Sequence, residues 1–211
     1  MEKYSAITVT KKDGSESFQL DGQVLPFNVL SFWQWSSSDL VGNALRGKLA
    51  EYIVSSAVGS NENIRTEWDA YDVVTPEGIK VEVKSGAYIQ SWAQNRLSRI
   101  QFGIPETQGW DAKTNTYSSQ IERQSDVYVF CVLEHKNQET IDPLNLDQWV
   151  FYVIATSKLN EAVGKQKTIS LSSLLKLAPR EVKYGEINHA IKRVVFGSSY
   201  QAIQPTAKSG G

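Results

Sequence analysis

One cysteine, one methionine and two histidines are all that the 211 residues offer in sulfur and imidazole. The lone thiol, Cys131, excludes a disulfide framework within the chain and fits a reducing, cytoplasmic setting. Inside the run "VYVFCVL" it reads as a buried small hydrophobe. His135 and His189 are too few for a histidine-based zinc site. Nowhere do roughly 18 apolar residues run together, and "MEKYSAITVTKKDG" lacks the apolar stretch of a signal peptide. A membrane-spanning or secreted chain is therefore not expected. An excess of one charge is missing too, with 22 basic against 23 acidic residues and a formal net charge of -1. That excludes a protein that coats nucleic acid by bulk electrostatics and still permits a local basic groove. No glycine-rich phosphate-binding loop of the Walker type is present, so ATP use within the chain is not expected.

What is there is ordinary for a globular protein: 41% hydrophobic and 21% charged residues in a length that suits one domain. The pattern predicts a single domain over 1–196, opened by a β-rich segment over 1–38, and a loose tail over 197–211, "GSSYQAIQPTAKSGG". Within the first segment "AITVT" and "SFQLDGQVLPFNVL" read as short strands. Trp33 and Trp35 in "SFWQWSSS" alternate at strand spacing, and packing in the core or at an interface is the expected use of both. Leu45, Leu49, Tyr52, Ile53 and Ser56 recur at helical spacing and predict a helix over roughly 39–58, closed by Gly59. A second helix is expected over 87–103, where Ile89, Trp92, Ala93, Leu97 and Ile100 line one face. The polar stretch 105–125 is longer than a usual connection, and with Trp110 in it a recognition loop is one expected use. "DVYVFCVLE" and "DQWVFYVIATSKL" are apolar enough for strands buried on both faces, and the end reads as helical on either side of Pro179. Helix, hairpin, helix, strand, strand, helix describes an α/β protein built on a central mixed β-sheet flanked by helices.

The stretch "WDAYDVVTPEGIKVEVKSG", residues 68–86, carries the chemistry. "TPEG" reverses the chain. In the strand after it, Ile79, Val81 and Val83 point one way and Lys80, Glu82 and Lys84 the other. A five-residue loop over 75–79 sets Asp72 opposite Glu82, and a three-residue loop keeps the same parity. A four-residue loop would offer Asp69 and Tyr71 instead. The chain contains decoys for the same pattern. Asp126 and Glu134, before "EHK", lie about 26 Å apart if the run between them is one strand at roughly 3.3 Å per residue. A second "EVK" at 181–183 has no strand pattern before it and reads as a helix start or surface charge.

Two carboxylates converging on one point repel unless a cation sits between them, and oxygen ligands of this kind suit Mg²⁺ or Mn²⁺. A lysine two residues on, about 6 to 7 Å along the same face, is placed to act on a water or on the charge of a phosphate. The chemistry this spacing suggests is metal-assisted hydrolysis of a phosphodiester.

"GKLAEYIV" on a helix, then "YDVVTPEG", then "IKVEVKSGAYIQSW" resembles the PD-(D/E)xK nuclease superfamily, which includes restriction endonucleases, over roughly residues 39–136. The resemblance implies a restriction-endonuclease-like core and a Mg²⁺-dependent endonuclease of DNA, of restriction or phage-defence type, acting on double-stranded DNA and often as a homodimer. In that scheme Asp72 matches the motif aspartate, Glu82 the acidic member and Lys84 the motif lysine. The Val83 carbonyl becomes a further metal ligand, and Glu51 matches the helix glutamate of many members. The usual proline before the aspartate is absent, with Tyr71 in its place. Gln90 and Gln94 stand where several subfamilies place polar residues near the site, with Ser85 a weaker candidate. Arg46, Lys48, Arg96 and Arg99 are candidate contacts to a phosphate backbone. The alternative on the same fold is a catalytically silent DNA-binding or protein-interaction module.

Overall fold

The computed structural model describes residues 4, 6–62, 64–65, 69–111 and 114–197, apart from the side chain of Asp111. The predicted tail beyond residue 197 lies outside them.

After residues 6–16, which hold no regular structure, β1 (Ser17–Leu20) and β2 (Gln23–Asn28) form an antiparallel hairpin, and α1 (Val29–Ser36) follows directly. The reading of "AITVT" as a strand is corrected here, since no strand among the described residues partners it. Trp33 and Trp35 lie on α1 and not on a strand, because Asn28 and Ser31 close a reciprocal capping box that starts a helix at Val29.

Helix α2 (Asn43–Ala57) starts four residues later than the spacing suggests and ends before Gly59, whose φ of +73° suits glycine. Its buried stripe is Arg46, Ala50, Ile53 and Val54, so Tyr52 faces outward. Strands β3 (Val73–Val74) and β4 (Lys80–Ala87) form a hairpin around the loop 75–79. The predicted second helix is absent. Residues 88–100 form an irregular loop leading to β5 (Gln101–Gly103). Two causes outweigh the helical spacing. The Gln94 side chain accepts from the Gln90 N–H and donates to the Tyr88 carbonyl and the Ser98 hydroxyl, which closes a loop. Gly86 lets Ile100 and Phe102 lie against β4, since a Cβ there would come within 2.7 Å of Ile100 Cγ2.

The polar stretch 105–125 is largely a third hairpin, β6 (Thr107–Asp111) and β7 (Thr116–Glu122). Then come β8 (Val127–Leu133), β9 (Trp149–Ala155), α3 (Thr156–Val163), β10 (Thr168–Ser170), α4 (Leu171–Lys176), β11 (Arg180–Val182) and α5 (Ile187–Phe196). The second "EVK" therefore enters an edge strand and does not start a helix, because Arg180 to Val182 pair with Val153 to Phe151.

The central sheet has the order β11-β9-β8-β4-β3, with β4 parallel to β8 and every other pair antiparallel. It is the mixed, helix-flanked α/β sheet the sequence predicts. All seven residues of β8 are buried, which is what a continuous apolar run requires of a central strand. Val127, Val129, Cys131 and Leu133 join α2 and α5 in one core, and Tyr128, Phe130 and Val132 join Phe102, Leu159 and Leu174 in the other. Cys131 is wholly buried, and burial pushes its thiol well above the usual range. Among the described residues no helix is long and apolar enough to cross a membrane.

Candidate active site

Val73 pairs with Val81 and Val74 with Lys80, so extending the register by one pair sets Asp72 opposite Glu82. The five-residue loop selects this arrangement. Its geometry is held by the Thr75 N–H donating to the Ile79 carbonyl and the Gly78 N–H to the Thr75 carbonyl, with Gly78 at φ +86°. Glu82 and Lys84 share one face of β4, while Val81 and Val83 point into the core under α2.

Asp72 is held against the strand it faces. Its carboxylate accepts from the backbone N–H of Val83 at 2.7 Å. Since the N–H and C=O of one strand residue point to the same edge, the Val83 carbonyl is directed toward Asp72 as well. Glu82 is ion-paired to Lys84, both being partly buried. Burial, helped by the charges of Glu82 and Glu51, raises the Asp72 carboxyl from 3.8 to about 6, against the opposing pull of the Val83 N–H and Lys84. The site thus concentrates negative charge where water is partly excluded.

On the neighbouring strand Tyr128 lies beside Glu82, and burial together with that charge pushes its phenol up. A cleft of about 390 Å³ opens over these groups. One wall is Asp69, Tyr71, Asp72, Glu82 and Lys84, and the other is built by the β6–β7 hairpin with Gln108, Trp110 and Tyr117, then Arg123 and Gln124. Arg123 is buried and fixes the base of that hairpin by donating to the carbonyls of Ile104, Gly164 and Gln166 and to the Asn160 side chain.

Asp72 also borders a second cleft, of about 460 Å³, with Lys48, Glu51, Tyr52 and Arg65. Glu51 projects from α2 into it and is ion-paired to Arg65. Among the described residues no group of three or more His, Cys, Asp or Glu side chains stands close enough to hold an ion. The groups set side by side are the Asp72 and Glu82 carboxylates, with Glu51 nearby and paired to Arg65, oxygen donors of the kind that could serve Mg²⁺.

The remaining candidates divide by burial. Arg46 is 3% exposed, and its guanidinium donates to the Val41 carbonyl, the Gln90 and Asn43 side chains and Ser85. Burial lowers its pKa. Gln90 is buried too and donates to the Ala87 carbonyl, while Gln94 closes the loop described above. These three side chains hold the segment after Lys84 in place. Lys48, Arg96 and Arg99 are exposed. Sequence reasoning did not find Tyr128, Arg123, Gln108 or Gln124, which the tertiary fold alone brings to the cleft. Only the length and polarity of 105–125 pointed to that wall.

A family model described as Bacteriophage T4 endonuclease IV matches residues 3–173. The chain belongs to this family. Membership in the endonuclease IV family makes it a nuclease acting on DNA, and the matched residues contain the whole Asp72, Glu82, Lys84 hairpin and the β6–β7 wall of the cleft. Among curated proteins no match was found.

Proposed function

We propose that the chain is a Mg²⁺- or Mn²⁺-dependent endodeoxyribonuclease of the PD-(D/E)xK type, centred on Asp72, Glu82 and Lys84. The observation that carries this reading is the placement of Asp72, the residue just before β3, opposite Glu82 on β4, where their charges oppose each other, with Lys84 on the same face. Keeping two carboxylates together in a half-buried cleft is unfavourable without a cation, and stability alone supplies no reason for it. The endonuclease family supports hydrolysis of DNA. The finer reading, an enzyme of restriction or phage-defence type, rests on the resemblance of the three-residue pattern.

Asp72, Glu82 and the Val83 carbonyl would hold the ion, and Glu51 would reach it through water once released from Arg65. When bound, such an ion lowers the pKa of a water and screens the charge of a phosphate. Lys84 leaves Glu82 to orient the attacking water and to offset charge on the phosphate oxygens. The water oxygen bonds to phosphorus as one phosphorus–oxygen ester bond breaks, and the departing oxygen takes up a proton. A silent DNA-binding module would have no use for this cluster of charge.

The test is incubation of the purified chain with supercoiled plasmid, linear duplex and single-stranded DNA, each with Mg²⁺, Mn²⁺ or EDTA, beside Lys84→Ala. Cutting that needs the metal and is lost in the variant is expected, and the three substrates rank its strandedness. Cutting that survives EDTA, or that Lys84→Ala retains in full, overturns the assignment.

A further inference from the structure

Positive charge gathers in a third concavity, away from the two clefts that Asp72 borders. This cavity, of about 460 Å³, lies at the β11 edge of the central sheet. Three elements meet there: the end of β9 with the first turn of α3, the turn before β11, and the last turn of α5. Each brings one cation, Lys158 from α3, Arg180 from β11 and Arg193 from α5. Among the described residues no acid lines the cavity, and neither arginine forms an ion pair. That departs from a chain whose acids and bases nearly balance, 23 against 22. The neighbouring lysines follow the balanced pattern: Lys192, next to Arg193 on α5, pairs with Glu77, and Lys183, just past β11, pairs with Glu134.

Lys158 donates to the Ala178 carbonyl at 3.3 Å, which holds its ammonium at the cavity without neutralising it. Ala178 itself sits at φ +46°, a left-handed conformation that residues with a Cβ rarely hold, in the turn that delivers Arg180. Like charges that converge on a concave wall repel, and their fields add in front of it, so an anion there is attracted by all three. Guanidinium groups present paired donors that match phosphate oxygens, and an ammonium adds a point charge beside them.

The cavity is also in register with the strand that carries Glu82 and Lys84. Val83 pairs with Val129, Val129 with Val153 and Val153 with Arg180, one row across four strands. At roughly 4.8 Å per strand, Arg180 stands about 14 Å from Val83. A DNA strand advances about 3.4 Å per nucleotide, so a substrate crossing this end of the sheet from the cleft brings another phosphate to the cavity about four nucleotides away. The endonuclease family makes DNA the polyanion that this chain meets.

We infer that Lys158, Arg180 and Arg193 form a second backbone site, which holds a phosphate of the DNA substrate outside the cleavage cleft. The inference rests on DNA as the substrate and is indifferent to the metal.

Filter binding of a labelled duplex and of a single strand in EDTA, over a salt series, tests it. No cleavage enters the readout, so failure of the metal assignment leaves the result legible. Arg180→Gln with Arg193→Gln is expected to weaken binding at least about 10-fold and to lower the salt slope by about 1.4 to 1.8, as two lost phosphate contacts do. Lys136→Gln with Lys165→Gln removes the same charge elsewhere and is expected to leave affinity and slope nearly unaltered. All four side chains are exposed, so the melting temperatures of both pairs match the parent's. In the parent, Lys158 is expected to lose reactivity toward an acetylating reagent when DNA binds, read by mass spectrometry. Equal weakening by the two pairs, an unaltered slope in the arginine pair, or a Lys158 that DNA leaves fully reactive overturns the inference. So does protection of Lys158 by inorganic phosphate and not by DNA, which assigns the cavity to a free anion. A parent that binds neither form of DNA overturns the substrate reading itself, and the inference with it.

Discussion

The Asp72 carboxylate accepts a 2.7 Å hydrogen bond from the N–H of Val83, the residue between Glu82 and Lys84. One bond thus ties the first acid to the strand that carries the other two charged groups. It also orients the Asp72 oxygens toward the edge of β4, beside the Val83 carbonyl. The arrangement favours the ionised carboxylate, yet burial and the charges of Glu82 and Glu51 outweigh it.

The first prediction concerns stability without metal. The Asp72 carboxyl lies at about 6 in the folded state, raised from 3.8. Below pH 3.8 folded and unfolded chains both keep the proton, and the group costs nothing. As pH rises through about 6 the folded state binds a proton the unfolded state has lost, so stability declines, by about 2–3 kcal/mol once both are ionised. Asp72→Asn is therefore expected to stabilise the EDTA-treated protein at pH 8 and to leave it unchanged near pH 3.5. Urea unfolding at the two pH values checks both sign and window.

Metal reverses that sign. At one hundred times its dissociation constant, Mg²⁺ stabilises a single-site protein by about 2.7 kcal/mol, a rise of roughly 5–10 °C in Tm for a chain of this size. The parent is expected to show this shift and EDTA to abolish it. Neither Asp72→Asn nor Glu82→Gln is expected to respond. A thermal melt with and without Mg²⁺ measures it, and an equal shift in both variants contradicts the assigned ligands.

Lys84→Ala separates binding from chemistry. Cleavage of DNA is expected to fall about 10²- to 10⁴-fold, while the Mg²⁺-induced thermal shift persists. Single-turnover rates alongside melting curves distinguish this outcome from loss of the ion.

Arg46 and the exposed arginines are expected to behave differently. Arg46→Met removes a buried cation that satisfies acceptors on Val41, Asn43, Gln90 and Ser85, at a cost of about 2–4 kcal/mol. Arg46→Lys does not restore it, because one ammonium cannot span those acceptors. Arg96→Ala or Arg99→Ala leaves stability unchanged and lowers the salt dependence of DNA binding by about one unit of slope each. Denaturation and filter binding over a salt series provide the two readouts.

Gly86→Ala is expected to destabilise the fold by about 1–3 kcal/mol, because the added methyl meets Ile100 Cγ2 at 2.7 Å and Phe102 Cε1 at 3.1 Å. Thermal unfolding checks it.

Which parts of this were legible beforehand depends on how local the cause is. The pairing of Asp72 with Glu82 follows from a short turn and a two-residue alternation, both written in adjacent residues. The runs of β8 and β9 announce burial on both faces because nothing polar interrupts them. The helix expected over 87–103 failed where distant partners decided: Phe102 packs on Phe130, Ser170 pairs with Gln101, and the spacing of Ile89 and Leu97 contains neither fact. Trp33 and Trp35 misled for a local reason, since alternation over three residues does not separate a strand from a helix whose cap lies at Asn28.

The sequence by itself determined the acidic hairpin, the helix before it and the buried strands, because turn chemistry and side-chain period act over a few residues. Only the tertiary structure decided that Arg46 and Gln90 are internal struts and that Arg65 holds Glu51. It also made the β6–β7 hairpin the second wall of the cleft. Those relationships join residues 14 to 44 positions apart, or residues on separate hairpins, and they are settled by which surfaces the central sheet leaves free to meet.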